Sequence, residues 1–397
     1  MLEIKGVTQN FDWGGYHYIP MLTNARALNN KPSAEFWLGD HQNGSSRLVD
    51  GSLLSEWIKL NPESRLGAAS IKKFGERLPF LFKVLDVRQP LSIQVHPSLQ
   101  QARDGFAYEI KNNVPADERN YRDDNHKPEL MLALSDFYLL HGFRSEEKVV
   151  EQFNRIIELE PLVHIYQEKG IERFVSFIFD LSERELSIIV EPVVERYREA
   201  YLQNEISKSE PLFWFMRSAI RAENEGQPRE AGLLMIFVLN LMYVPKGKVV
   251  YQDAGIPHAY LEGQNIELMA NSDNVLRAGL TAKRVDVREL IKVCSFEPIT
   301  PETVTPVEIG NNATDFPVPS DDFQLREYRL EAGESLTTPP DNGPCIWFVL
   351  SGELKFHNQQ HFSGSASAFY QRPGEVNELT AKTSVLVYRA SCRLYDQ

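Results

Sequence analysis

The sequence predicts a mainly β chain, interrupted by one α-helical insertion and resumed as a second β-unit toward the C-terminus. Three observations carry this. Residues 91–97, Leu-Ser-Ile-Gln-Val-His-Pro, alternate apolar Leu91, Ile93 and Val95 with polar Ser92, Gln94 and His96, the period-2 pattern of a strand buried on one face. From residue 145 the period becomes helical, with Val149, Val150, Phe153, Ile156 and Ile157, then Phe174, Phe177, Ile178 and Leu181. Residues 298–319, rich in Pro and Thr, form a connector before a last run of strands and turns.

Residues 6–50 mix short apolar runs with turn clusters such as Asp12-Trp13-Gly14-Gly15 and read as β-like and loop-rich. Residues 52–73 have helical spacing, with Leu53, Leu54, Trp57, Ile58 and Leu60 on one broad face. Two strands follow, residues 78–87 and 91–95, separated by Arg88-Gln89-Pro90. The polar residues 98–128 predict a helix and then a surface loop. Residues 129–134 and 137–143 look like a hairpin across Ser135-Asp136. Ser145-Glu146-Glu147-Lys148 suits an N-cap and first helical turn. The apolar run 232–244, interrupted by Asn240, reads as a buried strand, and strand character continues past Tyr260. Beyond the connector, residues 345–350 and 385–388, with turns at Ser351-Gly352 and Arg372-Pro373-Gly374, predict a second small barrel or sandwich. The expected organisation is a discontinuous unit of residues 1–144 and 231–297, a helical insertion of residues 145–230, and a C-terminal unit of residues 298–397.

The 397 residues exceed what one core usually accommodates, so two or three domains, or one elaborated domain, are expected. No apolar run approaches the ~20 residues that span a bilayer, and residues 1–5 lack the order of a secretory signal. A cytoplasmic protein is expected. Cys294, Cys345 and Cys392 form no paired motif and read as small buried hydrophobes. A net charge of −13 argues against nucleic acid and anionic membranes as partners. It leaves a small anionic substrate open, because distant surface charges are screened beyond about 8–10 Å.

Four stretches carry candidate chemistry. Gln94 and His96 share a strand face, so one metal ion is within reach of both. In Asn125-His126-Lys127-Pro128-Glu129 the proline favours extended backbone, which projects Lys127 and Glu129 to one side; the plain alternative is an exposed ion pair. Residues 253–260 carry His258 on a returning strand, and a histidine alone is more often structural. Gln94, His96, Glu129 and His258 together make a mononuclear N/O site suited to zinc or another divalent transition metal. In the polar stretch 265–283, Ala278-Gly279 lets Arg277 and Lys283 fold toward one phosphate; a solvated turn is the alternative.

The strings 91–97, 125–129, 256–261 and 269–281, with Gln9-Asn10-Phe11-Asp12-Trp13-Gly14 and Ala34-Glu35-Phe36-Trp37-Leu38-Gly39, resemble type I mannose-6-phosphate isomerases in order and over essentially the whole chain. The resemblance implies two cupin-like β-barrels of jelly-roll type plus a helical domain, with one Zn2+ per chain on Gln94, His96, Glu129 and His258. It also implies Arg277 as a catalytic arginine, with Lys127, Tyr260, Glu267, Asp273 and Lys283 lining the pocket, and Ser92 and Lys83 toward the phosphate. Departures at Asp124, Ala282 and residues 253–255 remove no ligand.

The activity so implied is metal-dependent interconversion of mannose 6-phosphate and fructose 6-phosphate through an enediol. Zinc and Arg277 would stabilise charge on the sugar oxygens, Glu267, Lys127 or Tyr260 would relay protons, and Lys83, Ser92 and Lys283 would hold the phosphate. The substrate is then a small sugar phosphate and the chain a monomer, a dimer being the alternative. The rival activities are an iron oxygenase on the same barrel and a non-catalytic cupin-type sugar-binding or regulatory protein. His17, His41, His141, His164, His357 and His361 read as structural or surface residues, and His126 as a neighbour of the site.

Overall fold

The computed structural model describes residues 1–25, 31–310, 312–356 and 363–394, so His357 and His361 lie outside the described residues. The chain is mostly β-sheet with eleven α-helices among these residues. The strand His258–Ala270 organises the first sheet. Residues 258–262 pair with Phe137–Phe143, while residues 263–270 pair with Phe80–Val87 on one side and, through residues 265–269, with Glu129–Ala133 on the other. A register shift between Tyr260 and Glu262 separates the two halves. Gly263 follows at φ +131, where a Cβ would lie 2.5 Å from the Phe137 ring, so only glycine fits.

Glu129–Ala133 and Phe137–Phe143 are therefore strands but not a hairpin. The turn between them wraps around Gln264, whose carbonyl accepts the Leu134 N–H at 2.8 Å and whose N–H donates to Ser135 Oγ at 2.9 Å. The run 232–244 also differs from expectation. It begins as the helix Gly232–Val238, buried all round, and becomes the strand Leu239–Val244 only afterwards. A wholly apolar segment has no polar face to reveal its period. The Asn240 amide nitrogen donates to the backbone carbonyls where this strand meets Phe137–Phe143, the Phe143 oxygen lying at 2.9 Å. Residues 52–73 form three short helices, Leu54–Leu60, Pro62–Leu66 and Ala68–Phe74, broken at Asn61 and at Gly67, whose φ is +84. Leu60 is exposed rather than part of the apolar face.

The predicted strand 91–95 reduces to the ladder Gln94–Val95, but extended pairing continues upstream, with Leu91 N–H donating to Tyr260 O and Ile93 N–H to Gly279 O, both at 2.9 Å. The helix Leu99–Lys111 and the loop after it match expectation. So does the helical region, comprising Glu146–Asn154, Pro161–Asp180, Glu183–Leu202 and Pro211–Asn224. Ser182 starts its third helix with a full capping box to Glu185. No helix among the described residues is long and apolar enough to cross a membrane.

The second large sheet has eight strands and includes Gln324–Leu330, Val385–Ser391, Cys345–Ser351 and Ala368–Gln371. The N-terminal strand Leu2–Lys5 pairs with Ala368–Gln371, so the chain begins in the sheet that its C-terminal region builds. The two sheets share a core in which Phe348 lies 5.3 Å from Phe82 and 6.3 Å from Phe36, ring centre to ring centre. All these pairings are antiparallel, and the sheets are open; no closed barrel forms among the described residues.

Candidate active site

Strand alternation decides which side chains meet. In Phe80–Val87, residues Phe80, Phe82 and Val84 enter the core between the sheets, which turns Lys83 to the opposite face. The same alternation applies in the neighbouring strands. Leu130, Leu132, Ile266, Leu268, Phe36 and Leu38 point into that core, so Glu129, Glu267, Glu35 and Trp37 share the face of Lys83. Register brings them together, since Lys83 stands opposite Glu267 on one side and Trp37 on the other. Lys83 Nζ lies 3.0 Å from Glu267 and 3.3 Å from Glu35.

A second row runs across three short ladders. Arg277 pairs with Gln94, Gln94 with His258, and His258 with His141. Directly opposed residues point to one face, so Gln94 and Arg277 project beside His258. His96, two residues on, shares that face.

The two rows converge on Glu129. His96 Nε2 is 3.3 Å from Glu129 Oε1, and His258 Nε2 is 3.2 Å from Glu129 Oε2. All three side chains are buried, and their ligand atoms lie within 4.8 Å of one another. His96 Nε2, His258 Nε2 and Glu129 Oε2 have no hydrogen-bond partner among the described residues. Both imidazoles are oriented from behind, since His96 Nδ1 meets the Asn274 carbonyl at 2.7 Å and His258 Nδ1 the Ile256 carbonyl at 2.9 Å. Each Nδ1 must donate there, so each Nε2 presents a lone pair to the centre. Burial pushes the His96 imidazole down to about 4, with Lys127 adding to the effect, which keeps it neutral as a ligand must be. Two lone pairs and a carboxylate oxygen, all orphaned and convergent, fit a divalent metal ion.

Lys127 Nζ contacts Glu129 Oε1 at 2.6 Å, as the Lys-Pro-Glu spacing predicts. Burial disfavours the Glu129 charge, but Lys127 and the histidines outweigh it and hold the carboxyl well below its usual range. Burial likewise opposes the Lys83 charge; Glu267 and Glu35 prevail, and the ammonium is held above the usual lysine range. Burial pushes the Glu267 carboxyl up against the pull of Lys83, with Glu129 adding to the shift. The Tyr260 phenol is pushed well up by burial and by Glu267, and its hydroxyl reaches Gln252 Oε1 at 3.3 Å.

One cleft of about 1090 Å³ gathers these groups. Ser92, Gln94, Lys83, Lys127, Glu129, Tyr260, Glu267, Asp273, Arg277 and Lys283 all line it, with His96 and His258 buried behind Glu129. The cations differ in their surroundings. Lys83 and Lys127 are matched by carboxylates, whereas Arg277 and Lys283 form no ion pair among the described residues. Burial lowers the Arg277 guanidinium, and Arg122 nearby lowers it further. Asp273 sits at the rim, 3.2 Å from His41 Nε2 and 3.2 Å from Asn43 Nδ2.

The chain is similar to known proteins over nearly its whole length. Residues 1–146 match the model of the phosphomannose isomerase type I catalytic domain. The chain is 35% identical to mannose-6-phosphate isomerase of Escherichia coli K12 over 404 aligned residues, which cover 99% of this chain and 98% of the relative. The chain belongs to the type I mannose-6-phosphate isomerase family. Mannose-6-phosphate isomerase 1 of Arabidopsis thaliana is 31% identical over 98% of this chain and 93% of its own length. Among solved structures, a variant of phosphomannose isomerase from Salmonella typhimurium superposes with a TM-score of 0.86 at 30% identity, covering 99% of this chain and all of that one. A mannose 6-phosphate isomerase bound with zinc and yttrium gives 0.85 at 30% identity, with the same coverage.

Several residues of this candidate site escape a reading of the sequence alone. Glu35 stands in a quoted string without a role, yet it binds Lys83 and accepts the Trp37 indole N–H. Asn274 fixes His96 through its carbonyl, while its side-chain amide donates to the Asp123 and Asn125 carbonyls, each at 2.8 Å. The density of polar residues in 265–283 was the available signal. His41, expected to be structural, holds Asp273. His126 turns toward the C-terminal region, meeting Asp322 Oδ2 at 2.8 Å.

Proposed function

We propose that this protein interconverts mannose 6-phosphate and fructose 6-phosphate, moving a proton between C2 and C1 through an enediol. The observation that carries the proposal is the set of orphaned ligand atoms on His96, His258 and Glu129, placed beside a cleft whose cations Arg277 and Lys283 form no ion pair among the described residues. Gln94, in register with His258, would complete the ligand set for one Zn2+ per chain. When bound, such an ion stabilises negative charge on the sugar oxygens.

The chain's own residues account for the remaining requirements. Arg277 and Lys283 offer unmatched positive charge to the phosphate, and Ser92 a hydroxyl at the same wall of the cleft. Lys83, already matched by two carboxylates, fits a different task from the phosphate contact expected of it: it orients Glu267 and holds its charge. Glu267, raised above the ordinary carboxylate range, is suited to take and return the proton. Lys127 and Tyr260 donate toward the developing oxyanion from the same face, and Asp273 steadies the rim through His41.

We also propose the three-part organisation of residues 1–144 with 231–297, 145–230 and 298–397, the open antiparallel sheets being cupin-like jelly-roll halves. The entirely antiparallel pairing supports this, as does the delivery of ligand-type side chains from separate strands to one face. A monomer is the proposed state, a dimer being the alternative. The free thiols Cys294, Cys345 and Cys392 suit a reducing cytoplasm. The test is conversion of mannose 6-phosphate in D2O. Fructose 6-phosphate carrying deuterium at C1 is the expected product, and the absence of turnover would leave a sugar-phosphate-binding protein.

A further inference from the structure

Glu230 lines the cleft where the helical insertion rejoins the sheet. Its Oε1 accepts the Leu280 N–H at 2.9 Å, and its Oε2 accepts the Gly232 N–H at 2.9 Å. It forms no ion pair among the described residues. One carboxylate thus spans the start of the helix Gly232–Val238 and the segment that follows Arg277.

That segment needs holding. Arg277 pairs with Gln94, and Ala278 N–H donates to Ile93 O at 2.7 Å, after which the chain turns through Gly279 at φ +113 and Leu280 at φ +53. A leucine in the left-handed region is rare and persists only where its surroundings impose it. The turn is pressed against Gly232, where a Cβ would lie 2.2 Å from Leu280 N and 2.5 Å from Gly279 Cα. Two glycines make the joint close, and Glu230 clamps it from the cleft side.

We propose that Glu230 is a positioning residue for substrate binding, its carboxylate fixing the turn 278–280 and so the placement of Arg277 and Lys283 toward the phosphate. The inference rests on the reading of the cleft as a sugar-phosphate site. Protonation would weaken the clamp, because a carboxyl O–H opposes one of the two N–H donors and leaves one acceptor for the other. Burial raises the Glu230 carboxyl to about 7, held back only by these two N–H groups; no charged side chain contributes. The clamp is therefore nearly complete a pH unit or more above about 7 and weakens as the pH falls through that value.

The test compares the zinc-loaded wild type with E230A and E230Q, measuring KM and kcat for mannose 6-phosphate, zinc content and thermal midpoint. Loss of a charged acceptor from two N–H groups raises KM about tenfold in E230A, with zinc content near wild type and a smaller fall in kcat through the displaced Arg277. The amide introduced by E230Q keeps the shape and one acceptor, so this variant folds as the wild type does and shows a smaller rise. Below about pH 7 the wild-type KM climbs more steeply than that of E230Q, the substrate's own phosphate titration being common to both. Wild-type KM in E230Q, or a loss confined to kcat, overturns the inference. Should the wild type not turn over the sugar phosphate, the functional reading fails separately. Titration with inorganic phosphate then decides the clamp, which requires weaker binding to E230Q than to wild type.

Discussion

Replacing Lys127 with methionine should raise metal affinity while destabilising the metal-free protein. The Lys127–Glu129 contact of 2.6 Å is buried on both sides. At an effective dielectric of about 20 its gross attraction is about 6 kcal/mol, and removing one partner of such a pair typically costs about 3–5 kcal/mol because the other charge is left uncompensated. A bound divalent ion supplies the missing compensation to Glu129, reducing the cost to that of a lost hydrogen bond and some packing, about 1–2 kcal/mol. The cycle closes only if K127M binds the ion about 2–3 kcal/mol more tightly, a factor of roughly 30–150 in Kd. Zinc competition against a chelator of fixed affinity, at about pH 8 where histidines carry no extra proton, measures this directly. Equal or weaker zinc binding by K127M would refute the claim that Lys127 neutralises the ligand carboxylate of the metal-free protein.

Gln94→Ala should weaken zinc retention about tenfold or more with little change in the thermal midpoint of the metal-free chain; full retention on dialysis would remove Gln94 from the ligand set. Lys283→Ala and Arg277→Met should each raise KM for mannose 6-phosphate about tenfold at low salt, with Arg277→Met also lowering kcat. An unchanged KM in both places the phosphate elsewhere. Acid stability follows from the buried histidines. His96 and His141 are pushed down by burial to about 4 and about 3, so the unfolded chain binds protons that the native one refuses. The stability of the metal-free protein is full above about 6.5 and falls as the pH drops toward 4, which urea midpoints across that window would show. A flat profile would mean that these imidazoles are not buried as neutral groups.

Local chemistry made much of the site legible. Proline at 128 fixes the relation of Lys127 to Glu129 within five residues, and a clean period-2 run fixes that of Gln94 to His96. The helical region 145–225 announces itself because its helices have a polar face. Where both faces are buried, the period vanishes, which is why Gly232–Val238 reads as strand. The supposed hairpin failed for a different reason. A two-residue gap between strands specifies reversal, but the partner is chosen by a strand more than a hundred residues away, with Gln264 filling the turn. Glu35, Asn274, His41 and Glu230 each meet a partner from a distant segment, Lys83, His96, Asp273 and Leu280 respectively, and only for Asn274 does the polar density of its own stretch give a hint.

The central claim is that a metal ion held by His96, Glu129 and His258 is required for isomerisation. Fructose 6-phosphate formation from mannose 6-phosphate should be measured on the protein as purified, after exhaustive chelation, and after zinc repletion. Turnover should be lost on chelation and recover with one equivalent of zinc, while a rate indifferent to metal removal would contradict a metal-dependent site.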